Sequence, residues 1–326
     1  MNLIGIDIGG TKCAVIYGKE ENGQIEVVDK IRFATTYVDE TVRNIQSNLR
    51  VLMKRHALNT ENTCAAGISC GGPLDSKTGV VLSPPNLPGW DNIPIVDIVR
   101  QTTGMPTGLQ NDANACALAE YKYGAGQGCQ NMVFLTFGTG LGAGIVIGGE
   151  LYSGTNDNAG ELGHIRLAPE GPVGYGKNGS FEGFCSGGGI AQLARKAVLK
   201  VYTEGKNVTW CAKEDIPSLT AQKVAEEAHK GDELALSIFR TSSEYLGMGL
   251  SMVIDILNPE VIVIGSIYAR NEEMMKPIMD EVLQREALSG AYKVCRVVPA
   301  ALGEQIGDFA SLSVASATYY KKLTKM

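Results

Sequence analysis

The chain opens on an apolar run, Leu3-Ile4-Gly5-Ile6-Asp7-Ile8, of the kind a buried strand requires. Gly9-Gly10-Thr11 then supplies turn chemistry, and Cys13-Ala14-Val15-Ile16-Tyr17 reads as a second strand, so the order predicts a hairpin and not a strand leading into a helix. Between Glu40 and His56 the period changes. Val42, Ile45, Leu49 and Leu52 recur at spacings of three and four, which predicts an amphipathic helix packed on that sheet. Cys64 to Ser69 supplies another strand. From Gly71 to Pro94, five prolines and the run Pro84-Pro85-Asn86-Leu87-Pro88-Gly89-Trp90 mark an ordered loop rich in turn signals, and such loops are often functional.

The second half repeats this outline. Met132 to Phe137 is a strand, Gly138-Thr139-Gly140-Leu141-Gly142 a glycine turn, and Gly144-Ile145-Val146-Ile147 a returning strand. Two strand, Gly/Thr turn, strand units about 130 residues apart suggest a duplicated nucleotide-binding lobe. Further on, Thr220 stands where an N-cap belongs and Gly231 closes the helix holding Val224 and Ala228. Leu234 to Leu257 is a long helical run ending at Asn258-Pro259. Val261-Ile262-Val263-Ile264 is a buried strand stopping at the small-residue turn Gly265-Ser266, and Phe309 to Lys322 is helical in composition and is expected to fold back on the first lobe.

With 326 residues, 44% of them hydrophobic, the chain has material for two lobes or one large α/β unit, and a disordered or fibrous chain is excluded. A net charge of −6 without a Lys/Arg cluster offers no footprint for a phosphate backbone, so nucleic acid is not expected as a partner. No apolar run is long enough to cross a bilayer and Leu3 follows no basic segment, so neither a membrane anchor nor a signal peptide is expected, and the expected location is cytoplasmic. Cys13, Cys64, Cys70, Cys116, Cys129, Cys185, Cys211 and Cys295 contain no C-x-x-C pair and read as reduced thiols. Glycines cluster at 9–10, 71–72, 138–144, 148–149 and 187–189, where strand-like runs stop and the backbone turns or meets a ligand.

Spacing separates the phosphate-loop readings of these turns. Gly5 to Lys12 approaches a Walker A loop, but Thr11 and Lys12 stand in the wrong order and a strand follows where that motif opens a helix. Gly138-Thr139-Gly140-Leu141-Gly142-Ala143 fits the dinucleotide fingerprint, with Glu161 downstream, yet Gly144 to Ile147 is again strand-forming. What survives is a pair of hairpin turns whose N–H groups and Thr hydroxyls are suited to phosphate oxygens.

Asp7-Ile8-Gly9-Gly10-Thr11-Lys12, Gly72-Pro73-Leu74-Asp75, Asn111-Asp112-Ala113-Asn114, Gly138-Thr139-Gly140, Glu161-Leu162-Gly163-His164 and Asn258-Pro259 occur in the order seen in the ROK-family sugar kinases, and the resemblance spans essentially the whole chain. It implies the α/β actin-like ATPase (ribonuclease H-like) fold, two lobes around a central cleft, and transfer of the γ-phosphate of ATP to a hexose hydroxyl, with glucose to glucose 6-phosphate as the first expectation. The lobes are expected at 1–112 with about 300–326, and at 113–299.

A sugar hydroxyl must lose its proton as it attacks phosphorus, so a carboxylate is required beside it. Asp112 matches the family's catalytic Asp; its structural alternative is an N-cap for the helix starting at Ala113. By the same resemblance Asn86, Asn111, Asp112, Glu161, His164 and Glu182 line the hexose pocket. Gly9, Gly10, Thr11, Gly138, Thr139 and Gly140 hold phosphates, and Gly265 and Ser266 lie against adenosine, with Ser266 standing where the family usually has a second glycine. Asp7 is expected to hold Mg²⁺ through a water. Lys12 either reaches a phosphate or points to solvent. His56 and His229 read as caps near helix ends.

Most of the family carries C-x-C-G-x-x-G-C-x-E after the histidine of Glu-x-Gly-His, and three thiolates with that histidine bind zinc. Here the segment is Val173-Gly174-Tyr175-Gly176-Lys177-Asn178-Gly179-Ser180-Phe181-Glu182. With all three cysteines gone no structural zinc is expected; Tyr175 and Phe181 packing is expected to hold the loop, with His164 left for the sugar. Other hexoses and N-acetylhexosamines (N-acetylglucosamine, N-acetylmannosamine, mannose, fructose, allose) stand as alternative substrates, and a non-catalytic sugar sensor as an alternative role. A repressor is disfavoured because Asp7 leaves no room for a preceding helix-turn-helix. Family members often pair through the larger lobe, which leaves a homodimer open.

Overall fold

A computed structural model describes residues 1–324. Strand β1 (Asn2–Ile8) reverses into β2 (Lys12–Glu21), antiparallel with Ile8 opposite Cys13, and β3 (Gln24–Ala34) extends the meander. Helix α1 (Val38–Arg55) buries Ile45, Leu49 and Leu52, the stripe its spacing predicts, and leads to β4 (Thr63–Cys70), parallel to β1. Within the proline-rich loop only Leu74–Asp75 and Val80–Val81 form a short strand pair. Helix α2 (Ile95–Thr103) then precedes β5 (Thr107–Asn111), parallel to β4, and α3 (Asp112–Tyr123) begins on the next residue.

The second run comprises β6 (Met132–Leu135), β7 (Ala143–Ile147), β8 (Glu150–Tyr152), α4 (Phe181–Phe184), α5 (Gly187–Thr203), α6 (Ala221–His229), α7 (Glu233–Leu257), β9 (Val261–Ile264), α8 (Ile267–Arg270), α9 (Glu272–Glu286), α10 (Ser289–Tyr292), β10 (Arg296–Pro299) and α11 (Ile306–Leu323). Strand orders are β3-β2-β1-β4-β5 and β8-β7-β6-β9-β10. The first strand of each run is central, the next two lie to one side and the last two to the other, so the repeat suggested by the glycine turns extends to the strand order. The sequence reading missed β3, β5, β8 and β10. β3 buries only Ile25, and its apolar–polar alternation breaks at Val27-Val28, where the pairing with β2 shifts register; β5, Thr107-Gly108-Leu109-Gln110-Asn111, contains a single large apolar residue.

Two compact units divide the chain: Met1–Gln130 with Gly144–Ala159 and the chain from Ala301, and Asn131–Ala143 with Gly160–Ala300. This division differs from the expected boundary after residue 112. Helix α3 packs on α11, its Ala115 and Leu118 clustering with Ala310 and Val314, and Leu151 of β8 joins that cluster. Small side chains at Ala115 and Ala310 within this cluster permit the close approach, a packing preference that hydrophobic periodicity does not reveal. The first unit's main core gathers Ile4, Ile6, Ile45, Leu49, Ile68 and Trp90; that of the second gathers Phe137, Phe181, Leu246, Leu250, Ile262 and Met279.

Candidate active site

In the first unit, Asp7 stands one residue before the end of β1, half-buried. Burial, and next the charge of Asp308, push its carboxyl up to about 6, while Lys30 acts in the opposite direction. Lys30 Nζ is ion-paired with Asp308 Oδ1, and the first turn of α11 comes up to the Asp7 carboxyl at Gly307. The Gly9–Thr11 turn is closed by Gly9 N–H donating to Lys12 O at 3.1 Å, and the Thr35 hydroxyl donates to Gly9 O at 2.6 Å. A Cβ on Gly10 would lie 2.6 Å from Asn86 O, so the proline-rich loop rests on this turn and a side chain there is excluded. That contact brings Asn86 beside Gly10. Thr11 and Lys12 are exposed.

Asn111, not Asp112, is the N-cap of α3: its Oδ1 accepts from Ala113 N–H at 2.9 Å. Asp112 is the first helical residue, and its Oδ1 also accepts from Ala113 N–H, at 2.8 Å. Asp112 is exposed, yet protein atoms crowd its carboxyl closely enough for desolvation to raise it above the ordinary carboxylate range, against the downward pull of the Ala113 N–H. The neighbouring thiols of Cys70 and Cys116 are pushed far up by burial and are not nucleophiles.

In the second unit, Thr136 N–H donates to Gly142 O and Gly142 N–H to Thr136 Oγ1, both at 2.9 Å, closing the Gly138–Gly142 turn. Gly187 N–H, in the first turn of α5, donates to Gly138 O at 2.8 Å, and Ser266 Oγ lies against Gly138. The unit therefore gathers Gly138, Thr139, Gly265, Ser266 and the glycine-rich start of α5. Ser266 has φ +55°, a conformation natural to glycine.

Glu182 braces this turn. Its Oε2 accepts from Leu141 N–H at 3.0 Å, and a Cβ on Gly140 would lie 2.8 Å from that oxygen. Glu161 immediately precedes the 3₁₀ turn Leu162–His164, whose His164 N–H donates to Glu161 O at 3.1 Å; the His164 side chain is exposed. In the loop that follows, Phe181 is fully buried in the core, as expected, whereas Tyr175 is 72% exposed and does not hold the loop by packing. Polar contacts act instead: Ser180 Oγ caps α4 by accepting from Gly183 N–H at 3.1 Å, and Gln192 accepts from Val173 N–H at 2.9 Å and donates to Val173 O at 2.8 Å. Among the described residues, no group of three or more His, Cys, Asp and Glu side chains is arranged to hold a metal. His56 follows α1 and contacts Asp29 Oδ2 at 2.7 Å, and His229 ends α6 with Asn271 Oδ1 at 3.0 Å.

Lys30, Asp308 and Gln192 escaped the sequence reading, whereas the start of α5 is the glycine cluster at 187–189 that the sequence singles out. Asp308 carried a signal, an acidic residue just ahead of a run otherwise read as helical from Phe309, but its partner lies on β3, which was not recognised.

Two sheets of one strand order, each carrying a Gly/Thr turn after its central strand, define the actin-like ATPase fold. The ROK family model matches residues 3–316, and the chain belongs to the ROK family. It is 34% identical over 281 residues to a glucokinase of Halalkalibacterium halodurans, spanning 84% of this chain and 83% of that one. It is 32% identical over 267 residues to an N-acetylmannosamine kinase of Shigella flexneri, 81% and 82% of the two chains. The solved structure of a ROK family glucokinase from Streptomyces griseus in complex with glucose and AMPPNP superposes with a TM-score of 0.76 at 28% identity, covering 97% of this chain and 100% of that one.

Proposed function

We propose that this sugar kinase transfers the γ-phosphoryl group of ATP to a hydroxyl of a hexose, glucose being the first candidate. The observation that carries the reading is Asp112: a water-reachable carboxylate at the first position of α3, next to the capping Asn111, with its proton affinity raised by its surroundings. A general base works best when its pKa is moved toward the working pH. The hexose O–H proton passes to the Asp112 carboxylate as the sugar oxygen bonds to the γ-phosphorus and the bond from that phosphorus to the β–γ bridging oxygen breaks, leaving ADP. Asn111 and Asn86 offer amides that donate to and accept from hydroxyls without adding charge; Glu161, Glu182 and His164 supply further acceptors and donors to the sugar. The Gly9–Thr11 and Gly138–Gly140 turns offer N–H and hydroxyl donors to the phosphates.

Mg²⁺ suits the donor set around Asp7: it keeps most of its waters and asks for one or two carboxylates, and the acidic crowding of Asp7 by Asp308 is the kind of charge a cation offsets. When bound with the nucleotide it would neutralise phosphate charge. Asp7 would hold it through water, while Lys30 keeps the Asp308 carboxylate paired.

The test is ADP release with MgATP and a panel of hexoses and N-acetylhexosamines, for the wild type and Asp112→Asn. The expected result is phosphorylation of glucose, falling by roughly 10²- to 10⁴-fold in the variant with glucose binding retained. Equal turnover by the variant would remove Asp112 from this role. Preference for N-acetylmannosamine over glucose would favour the second reading, which the Shigella flexneri relative supports. Sugar binding without any turnover would indicate a sensor.

A further inference from the structure

Residues Val173–Gly174 and Lys177–Asn178 pair antiparallel, Gly174 opposite Lys177, leaving Tyr175 and Gly176 as a two-residue hairpin loop. Both loop residues have positive φ, 43° for Tyr175 and 75° for Gly176. That is the type I′ pattern, for which Asn-Gly is the low-strain pair. A bulky aromatic in the left-handed region is a genuine outlier. Tyr175 gains nothing from burial in exchange, since it is 72% exposed. The turn itself therefore gives no reason for tyrosine, and the reason must lie in what its ring touches.

The ring stands edge-on to His164, with centroids 6.2 Å apart and planes at 76°. Two residues further along the hairpin, Lys177 Nζ donates to His164 O at 2.7 Å. Tip and returning strand thus grip the same residue, one by its imidazole and one by its main chain. The hairpin is itself anchored at both ends: Gln192 holds Val173 by N–H and carbonyl, and Arg166 Nη1 donates to Asn178 O at 2.7 Å.

We propose that this hairpin is a positioning device for His164, in which Tyr175 sets the imidazole plane and Lys177 fixes the main chain beneath it, so that the two together set the strength of hexose binding. The inference rests on the reading of His164 as a hexose ligand. Backbone strain retained beside a binding residue, where a strain-free residue was available, is the mark of a functional constraint.

The variants Tyr175→Asn, Tyr175→Phe and Lys177→Met separate this role from a structural one. Tyr175→Asn relieves the turn, so its melting temperature is expected to rise by about 2 °C. Its KM for the hexose and its Kd for glucose, measured by calorimetry without nucleotide, are expected to rise roughly three- to tenfold, the range an edge-to-face ring contact commands, while KM for ATP stays unchanged. Tyr175→Phe keeps the ring and is expected to match the wild type; Lys177→Met is expected to weaken glucose in the same direction as Tyr175→Asn. Unchanged hexose KM and Kd in Tyr175→Asn would overturn the inference, as would a Tyr175→Phe protein as weak as Tyr175→Asn, because the hydroxyl and not the ring edge would then matter. Wild-type protein that binds glucose without phosphorylating it defeats the kinase reading alone and leaves the calorimetric comparison decisive for the hairpin. Wild-type protein that binds no hexose defeats both.

Discussion

Glu120 Oε1 accepts a hydrogen bond from Leu302 N–H at 2.9 Å. Its Oε2 accepts from Ala125 N–H at 2.8 Å and Ala301 N–H at 3.2 Å, so one fully buried carboxylate at the far end of α3 ties down the loop after that helix and the start of the segment leading into α11. The helix whose first residue is Asp112 is thereby fixed at its other end. Glu120→Ala leaves the N–H groups of Ala125, Ala301 and Leu302 without their charged acceptor and is expected to destabilise the protein by about 3 kcal/mol, roughly 1 kcal/mol for each hydrogen bond, read as a fall in the denaturant midpoint. A change under about 0.5 kcal/mol would show that water replaces the carboxylate at no cost.

Ser266, two residues beyond the end of β9, holds a φ of +55°. Ser266→Gly removes that strain and is expected to raise stability by about 1 kcal/mol, partly offset by the greater freedom of glycine in the unfolded chain. Calorimetric melting of the two proteins checks this; a lower melting temperature in the variant would mean that the Ser266 hydroxyl does more than tolerate the turn.

Gly10→Ala places a methyl 2.6 Å from Asn86 O and must displace the proline-rich loop. The expected outcome is a rise of about tenfold in KM for the hexose, equivalent to about 1.4 kcal/mol, because Asn86 moves with the loop. Steady-state kinetics at saturating ATP separate this from a general loss of enzyme; an unchanged hexose KM would show that Asn86 takes no part in sugar binding.

Asp29 is held down to about 2, first by its hydrogen bond with His56 and then by that with Arg55. A carboxyl whose folded value lies below its unfolded one contributes stability above about pH 4, and that contribution fades as the pH falls through 4 toward 2. Solvent screening of this partly exposed cluster keeps the contribution below about 1 kcal/mol. The stability difference between wild type and Asp29→Asn is therefore expected to be largest above pH 4, to shrink as the pH falls through 2 and to vanish below it. Denaturant titrations across that range give the answer, and a difference that grows on acidification would reverse the assignment.

Local pattern carried much of this protein. The apolar run before Gly9, the three-and-four spacing of Ile45, Leu49 and Leu52, and the Gly/Thr turns specify strand, helix and turn from residues adjacent in the chain, because backbone sterics and one-sided burial act over a few residues. The ordered motifs added the family and, through it, the candidate residues. Long-range pairing was beyond that reading. The Lys30–Asp308 ion pair spans 278 positions, the clasp of Glu120 on Leu302 spans 182, and Glu182 reaches Leu141 across 41. Whether Asn111 or Asp112 caps α3, and whether Tyr175 is packed or exposed, depends on a dihedral angle and on which neighbours arrive from elsewhere in the chain. Composition and periodicity report how each segment partitions between water and core. Only the folded chain decides which polar atoms meet, because a hydrogen bond depends on position to within a few tenths of an ångström.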